Sequence, residues 1–402
     1  MRLTFSLLAA LAAETGVRPV RTAELPEALR RDGWLEAIGS ETQRRLRDGE
    51  WDHLIHYALQ SNGFTSLPPV EPALAAKQWK ETGRIPEAAA ARLKAFAEGA
   101  PATERHREFR AMLTKDSNLE AEFARAMAFL FEKEWASRSR QGQARRDFVA
   151  SLYQRRGHST DTDPRATFGV HVGLEMIRRM SPGIRIRRVL VAGPGLDRAP
   201  RTALREDLPV QTYQPYALAD SLVRLGLAVL DDLEVDCVDI NPRVVGHINR
   251  FPRSDRTLRL RYPPGDAAWN VYFTGLGERI GSVSAERGLH RVDVNPGAAS
   301  RVRAFEMNVL TQRIAEKGRY DLAVATNILV YFDDRETGLA LANILHALGP
   351  GGYLLHNDPR PAIETWSRLL ALPVVDARMV RTDPARHEYD TVVLHRAGGG
   401  GE

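Results

Sequence analysis

The chain has 402 residues, 43% of them hydrophobic, with a formal net charge of +5. That length exceeds one ordinary domain and that apolar share fills a core, so disorder is excluded and two domains are expected. A single cysteine, Cys237, excludes an intrachain disulfide, and no run reaches the ~18 apolar residues of a membrane-spanning helix.

In chain order, Arg2 precedes an apolar stretch from Leu3 to Ala12 that ends on the small-apolar-small triplet Ala10-Leu11-Ala12. Residues 1–26 are read as a first amphipathic helix, with a secretory signal segment as the competing reading. Residues 27–164 read as a helical domain. Asp52 to Ser61, Pro86 to Glu98, Arg105 to Leu113 and Leu119 to Tyr153 carry apolar residues at helical spacing, and Ser61 to Glu71, with Pro68 and Pro69, reads as a loop. His53 and His56 fall one helical turn apart, but no further ligand motif accompanies them, so they are read as core or surface histidines and no metal is expected. Only six of the 56 Lys and Arg residues are lysine, and the pairs Arg155-Arg156, Arg178-Arg179 and Arg187-Arg188 lack interleaved aromatics. They read as codon bias and a solvated face, so no nucleic-acid partner is expected.

From residue 165 the pattern changes. Arg155 to Thr162 is a polar loop, and Arg165 to Met180 a helix. Val189 to Ala192 is a buried strand ending in Gly193-Pro194-Gly195, and a second apolar strand, Glu234 to Val238, ends in Asp239-Ile240-Asn241-Pro242. A glycine turn after a first strand lets a nucleotide-like ligand approach the backbone, and an acid at the tip of the next strand suits ribose hydroxyls. The third glycine of a dinucleotide fingerprint is Arg198 here, and no Lys-Ser/Thr follows as in a P-loop. Phe251 to Ser300, rich in Gly, Pro and Arg, reads as an insertion forming part of a lid or a small β element. A strand over 301–310 ends in Met307-Asn308-Val309-Leu310. Tyr320 to Phe332 reads as a buried strand running into a loop, Arg335 to Leu348 as a helix, and Tyr353 to His356 as a strand after Gly349-Pro350-Gly351-Gly352. Val374 to Thr382 and Tyr389 to Arg396 alternate as a hairpin, and 398–402 is a Gly-rich tail.

Four pieces in this order, Gln214-Pro215-Tyr216-Ala217-Leu218-Ala219, Asp239-Ile240, Asn327 to Phe332 and Pro350 to Tyr353, resemble the class I S-adenosylmethionine-dependent methyltransferases, and among them the chemotaxis-receptor (CheR-like) enzymes. The resemblance covers roughly 185–358. It implies an α/β fold: a doubly wound, Rossmann-like seven-stranded sheet with an antiparallel last strand over 165–397, inserted beside the fifth, behind the helical N-terminal domain. It implies S-adenosyl-L-methionine as cofactor, held by Gly193, Pro194, Gly195, Asp239, Ile240, Asn308, Val309 and Asn327. Asn308 is a candidate for the adenine edge, Asn327 orients the methyl end, and Tyr331 lines the acceptor pocket. The chain departs from that family at Gln214, where the family has Glu, and at Thr326, where it has Arg. A receptor-type glutamate is therefore a poor acceptor, and a different carboxylate, small molecule or protein is expected. His356 and Asp358 offer a base pair or a strand-end turn, the turn being favoured. Such an activity implies the cytoplasm, the alternative being export if residues 1–12 are a signal. Two other readings stay open at this stage: a catalytically silent cofactor-binding or scaffold module, and an NAD(P)-dependent oxidoreductase. The sequence is silent on oligomeric state.

Overall fold

The computed structural model describes residues 16–162, 164–198, 208–262, 264–383 and 388–398. Leu3 to Ala12, Pro384 in the hairpin loop and residues 399–402 lie outside them. The chain divides into two compact units. One takes the described residues up to Glu41 with Thr162–Gly195 and everything from Thr212; the other is Thr42–Asp161 with Leu196–Gln211. This differs from the sequence-based division at residues 27, 165 and 397. Leu25, Leu29 and Ile38 are buried in the core of the first unit, and the connection after the glycine turn belongs to the second.

The second unit is helical: most of α1 (Trp34–Gln60), then α2 (Pro72–Thr82), α3 (Glu87–Glu98), α4 (Glu104–Arg110), α5 (Leu119–Glu134) and α6 (Gly142–Arg155). The continuous helix expected from Leu119 to Tyr153 is broken. The Trp135 indole donates to the Ala73 carbonyl at 2.8 Å, the Ser137 hydroxyl to the Lys133 carbonyl at 2.6 Å, and Gly142, the first residue of α6, takes a positive φ of 52°. Tyr57, Phe64, Phe96 and Phe109 form the aromatic heart, with Tyr57 stacked on Phe109 at 4.9 Å between centroids. His53 is fully occupied: its ring nitrogens lie 2.7 Å from the Ser159 hydroxyl and 3.2 Å from that of Thr160, with the Asp161 carboxylate at 3.2 Å. It fastens the 155–162 loop, a structural role.

Arg92 is wholly buried and serves the loop after α1, donating to the carbonyls of Ala58 (2.9 Å), Leu67 (2.5 Å) and Ser61. Arg92→Ala removes the guanidinium donor from these three carbonyls and is expected to cost about 3 kcal/mol. Arg92→Lys should not recover it, because an ammonium lacks the planar fork. Urea unfolding followed by circular dichroism measures both, and a loss below about 0.5 kcal/mol in Arg92→Ala would contradict this role. Arg105 and Arg198 hold the described ends, 196–198 and 208–211, of the connection after the glycine turn. Arg105 donates to the carbonyls of Asp197, Arg198, Leu208 and Pro209, while Arg198 pairs with Glu50 and, at 3.0 Å, Glu108.

The first unit is α/β. Its strands are β1 (Val17–Pro19), β2 (Arg188–Ala192), β3 (Glu234–Asp239), β4 (Thr257–Leu260), β5 (Gly281–Glu286), β6 (Leu289–Val294), β7 (Val302–Glu306), β8 (Gln312–Ile314), β9 (Tyr320–Ala325), β10 (Leu348–His356), β11 (Val374–Asp383) and β12 (Glu388–Arg396). Its helices are α7 (Pro164–Met180), α8 (Gln214–Arg224), α9 (Pro242–Arg250), α10 (Ala267–Thr274), α11 (Pro296–Ala299), α12 (Asp334–Ala347) and α13 (Pro361–Leu369). Seven strands form one sheet in the order β11-β12-β10-β9-β2-β3-β7. The pairings from β10 through β7 are parallel, and β12 runs antiparallel between β10 and β11.

Alternation along the strands builds two cores. Leu190, Ala192, Ala323, Ala325 and Leu354 join Leu339 and Ile344 of α12 on one face. On the other, α7 comes so close that a Cβ on Gly173 would strike Leu355 and Val392. With helices on both faces the sheet is buried and its strands read as apolar runs. The insertion forms a three-stranded antiparallel sheet, β4-β6-β5, with α10 between β4 and β5. The ribbon β1-β8 has no sequence signal, because strands of three residues are too short for periodicity.

Candidate functional site

Within the seven-stranded sheet the chain first builds β2, moves outward to β3 and β7, then returns to the opposite side of β2 for β9. β2 is thus the switch point, where a doubly wound sheet opens a crevice at the carboxyl ends of its strands. Gly193-Pro194-Gly195 lies there. Gly193 has φ of 67° and Gly195 of 74°, the left-handed region that favours glycine. A Cβ on Gly193 would run into the Ile328 side chain, so this turn is packed directly against the loop after β9. The Gly193 N–H donates to the Val238 carbonyl at 2.8 Å, tying the turn to the end of β3.

Asp239 ends β3. Its carboxylate accepts the Asn241 N–H at 2.8 Å and the N–H groups of Ile240 and Gly195. Burial outweighs these donors and pushes the carboxyl up to about 7. The Asn241 side chain caps α9 by accepting from Arg243, with Pro242 in its first turn, so the acid sits where strand gives way to helix. The Asp239 carbonyl accepts from Met307 at 2.9 Å, bringing in the end of β7. There Asn308 organises a tight turn: its Oδ1 accepts the Leu310 N–H at 3.0 Å and its own N–H donates to Gln312 Oε1 at 2.7 Å. Val309 is buried, its carbonyl receiving the Asn343 amide at 2.7 Å.

After β9 the two positions that depart from the CheR-like pattern prove to be partners. Gln214, at the start of α8, donates from Nε2 to the Thr326 hydroxyl at 2.5 Å, and both side chains are buried. Asn327 is exposed and holds a positive φ of 60°, uncommon for a residue with a side chain. Its N–H donates to Asn357 Oδ1 at 2.8 Å, and Asn357 Nδ2 donates back to Asn327 Oδ1 at 2.7 Å. Asn357 Nδ2 also donates to Asp390 Oδ2 at 2.9 Å. Tyr331 lies in a 3₁₀ turn, Leu329–Tyr331, and packs partly buried against the α12 core.

The expected site residues Gly193, Gly195, Asp239 and Asn327 are therefore contiguous, with Asn308 and Val309 one strand end away. The residues missed from sequence are Asn357, Asp390 and Arg360. Asp358 pairs with Arg360 at 2.8 Å, and Arg360 donates to the carbonyls of Phe332 (2.9 Å) and Leu329 (2.5 Å), pinning the loop that carries Tyr331. A polar cluster, Asn357-Asp358 with Arg360, directly after an apolar strand was the available signal. His356 is no base. Its Nδ1 accepts the Asp358 N–H at 3.1 Å, its Nε2 faces His395 Nε2 at 2.8 Å, and His395 Nδ1 donates to the Leu372 carbonyl at 2.9 Å. Burial holds both rings below the ordinary histidine range, so the pair is neutral.

No family model matches the chain, and neither does any curated protein sequence. Among solved structures it is similar to the N-methyltransferase NodS of Bradyrhizobium japonicum WM9 in complex with S-adenosylhomocysteine, at 16% identity over 59% of this chain and 90% of that one, TM-score 0.32. It is also similar to the 1,6-didemethyltoxoflavin-N1-methyltransferase of Burkholderia thailandensis with bound 1,6-didemethyltoxoflavin and S-adenosylhomocysteine. There the identity is 16% over 71% of this chain and 93% of that one, TM-score 0.30. A TehB-like SAM-dependent methyltransferase of Corynebacterium glutamicum ATCC 13032 matches at 15% identity over 63% of this chain and 94% of that one, TM-score 0.30.

Proposed function

We propose that the chain is an S-adenosylmethionine-dependent methyltransferase. The observation that carries this reading is Asp239 at the tip of β3, bonded to Gly195 across the switch point of the sheet. The residues fit the group. The half-buried Asp239 carboxylate, which already accepts three backbone N–H groups, keeps an edge open to the ribose hydroxyls, and the glycine turn lets the phosphate-free, zwitterionic methionine portion approach the backbone. The last strand, β12, runs antiparallel beside β10, which supports this reading.

In this reading Gly193, Pro194 and Gly195 cradle the methionine portion, Asp239 holds the ribose with Ile240 beside it, and Asn308 and Val309 border the adenine. Asn327 orients the methyl end and Tyr331 lines the way to the acceptor. The bound cofactor supplies a sulfonium methyl already activated for in-line displacement, so the chain's task is alignment and exclusion of water. Titration calorimetry tests the reading. S-adenosylhomocysteine should bind at one site per chain and NAD should not; binding of NAD alone would overturn it.

A further inference from the structure

The charges around the methyl end of the crevice say what kind of acceptor belongs there. The two buried side chains nearest the start of the β9 loop, Gln214 and Thr326, form a neutral pair and offer no cation. Arg360 is committed to Asp358 and to two carbonyls of the same loop. Asp390, at the start of β12, is partly buried and pairs with no cation among the described residues. Its Oδ1 accepts the Thr391 N–H at 2.8 Å and its Oδ2 the Asn357 amide at 2.9 Å, which leaves about half of its lone-pair sites open. Asn357 cannot supply more. Both its Nδ2 protons are used, on Asn327 and Asp390, and its orientation is fixed because Oδ1 receives a backbone N–H. Asn327, itself next to the glycine turn through Ile328, is thus chained to a carboxylate whose charged neighbour is another carboxylate, Asp358, itself paired with Arg360.

We infer that Asp390 is a specificity-determining residue of the acceptor subsite, selecting an amine nitrogen with an N–H to give and rejecting a carboxylate. This rests on the methyltransferase reading above. A carboxylate acceptor would meet Asp390 with no compensating cation among the described residues, whereas an amine meets a partly buried hydrogen-bond acceptor. The balance of the step is complete. The nitrogen lone pair forms the N–C bond, the sulfur keeps the pair of the broken S–C bond and becomes a neutral thioether, and the surplus N–H proton passes to the Asp390 carboxylate. Burial already holds that carboxyl above its ordinary range, which suits a proton receiver.

Sinefungin reads this subsite without knowledge of the acceptor, because a carbon-borne ammonium stands where the cofactor carries its sulfonium methyl. Calorimetry on the full chain should show sinefungin binding about tenfold more tightly than S-adenosylhomocysteine, the worth of one charge-assisted hydrogen bond. In Asp390→Asn that ratio should fall to about one. Should this variant bind neither compound, Asp390→Ser supplies the same comparison. Equal affinities in the wild type, or a preference that survives loss of the carboxylate, would overturn the inference while leaving the cofactor reading intact. A wild-type chain that binds neither compound would overturn the cofactor reading itself.

Discussion

Replacing Gly193 by Val is expected to weaken S-adenosylhomocysteine binding by about 100-fold or more while leaving the helical circular dichroism near wild type. Two costs add at this position. A non-glycine residue at φ of 67° is strained by about 1–2 kcal/mol, and more when β-branched. The new Cβ also meets the Ile328 side chain, an overpacking cost of about 1–3 kcal/mol. Together these reach about 3 kcal/mol, or two decades of affinity, if the turn moves to relieve them. The two costs can be separated. Gly193→Ala should weaken binding less than Val does, and adding Ile328→Ala should recover the packing share but not the backbone share. Binding that survives Gly193→Val unchanged would place the cofactor elsewhere.

The second large effect concerns Asp239. Asp239→Ala should cost about 1–3 kcal/mol of S-adenosylhomocysteine affinity, since it removes a charged acceptor for the ribose hydroxyls. The same residue steadies the turn through the Gly195 N–H. Asp239→Asn keeps a side-chain oxygen for that contact and separates charge from geometry. A pH dependence follows from the carboxyl being pushed up to about 7. The hydroxyls donate to the ionised form, so affinity should rise as pH climbs through 7 and level off above it. One unit below, only about a tenth of the carboxyl is ionised and binding should be about tenfold weaker. For folding the sign is reversed. The native state holds this proton up to about 7 while the unfolded carboxyl loses it near 3.8, so Asp239's contribution to stability falls across that window as pH rises. Calorimetry at pH 6 and pH 8 checks the binding part. A flat profile in the wild type, or an unchanged slope in Asp239→Asn, would remove Asp239 from the ribose position.

The features of the fold and site legible in the sequence are those with a local cause. Val189 to Ala192 followed by two glycines, and Glu234 to Val238 followed by Asp239, announce themselves because buried parallel strands are apolar runs and their ends need special residues. The hairpin of β11 and β12 shows as alternation. What was not legible depends on residues far apart in the chain. Asp390 and Asn357 are brought to Asn327 by strand order alone, and the Gln214–Thr326 pair turns two separate departures from the family pattern into one neutral hydrogen bond. The grip of Arg105 and Arg198 on residues 196–198 and 208–211 likewise has no sequence period. The break between α5 and α6 was missed because apolar spacing continues across it, while the Trp135 and Ser137 hydrogen bonds that turn the chain are tertiary or local accidents of side-chain chemistry.

The most direct measurement is a crystal structure of the chain with S-adenosylhomocysteine. The ribose hydroxyls should lie on the Asp239 carboxylate, the homocysteine portion over Gly193 to Gly195, and the sulfur should face Asn327. A ligand bound away from the carboxyl ends of β2 and β3, or one whose ribose ignores Asp239, would contradict this placement.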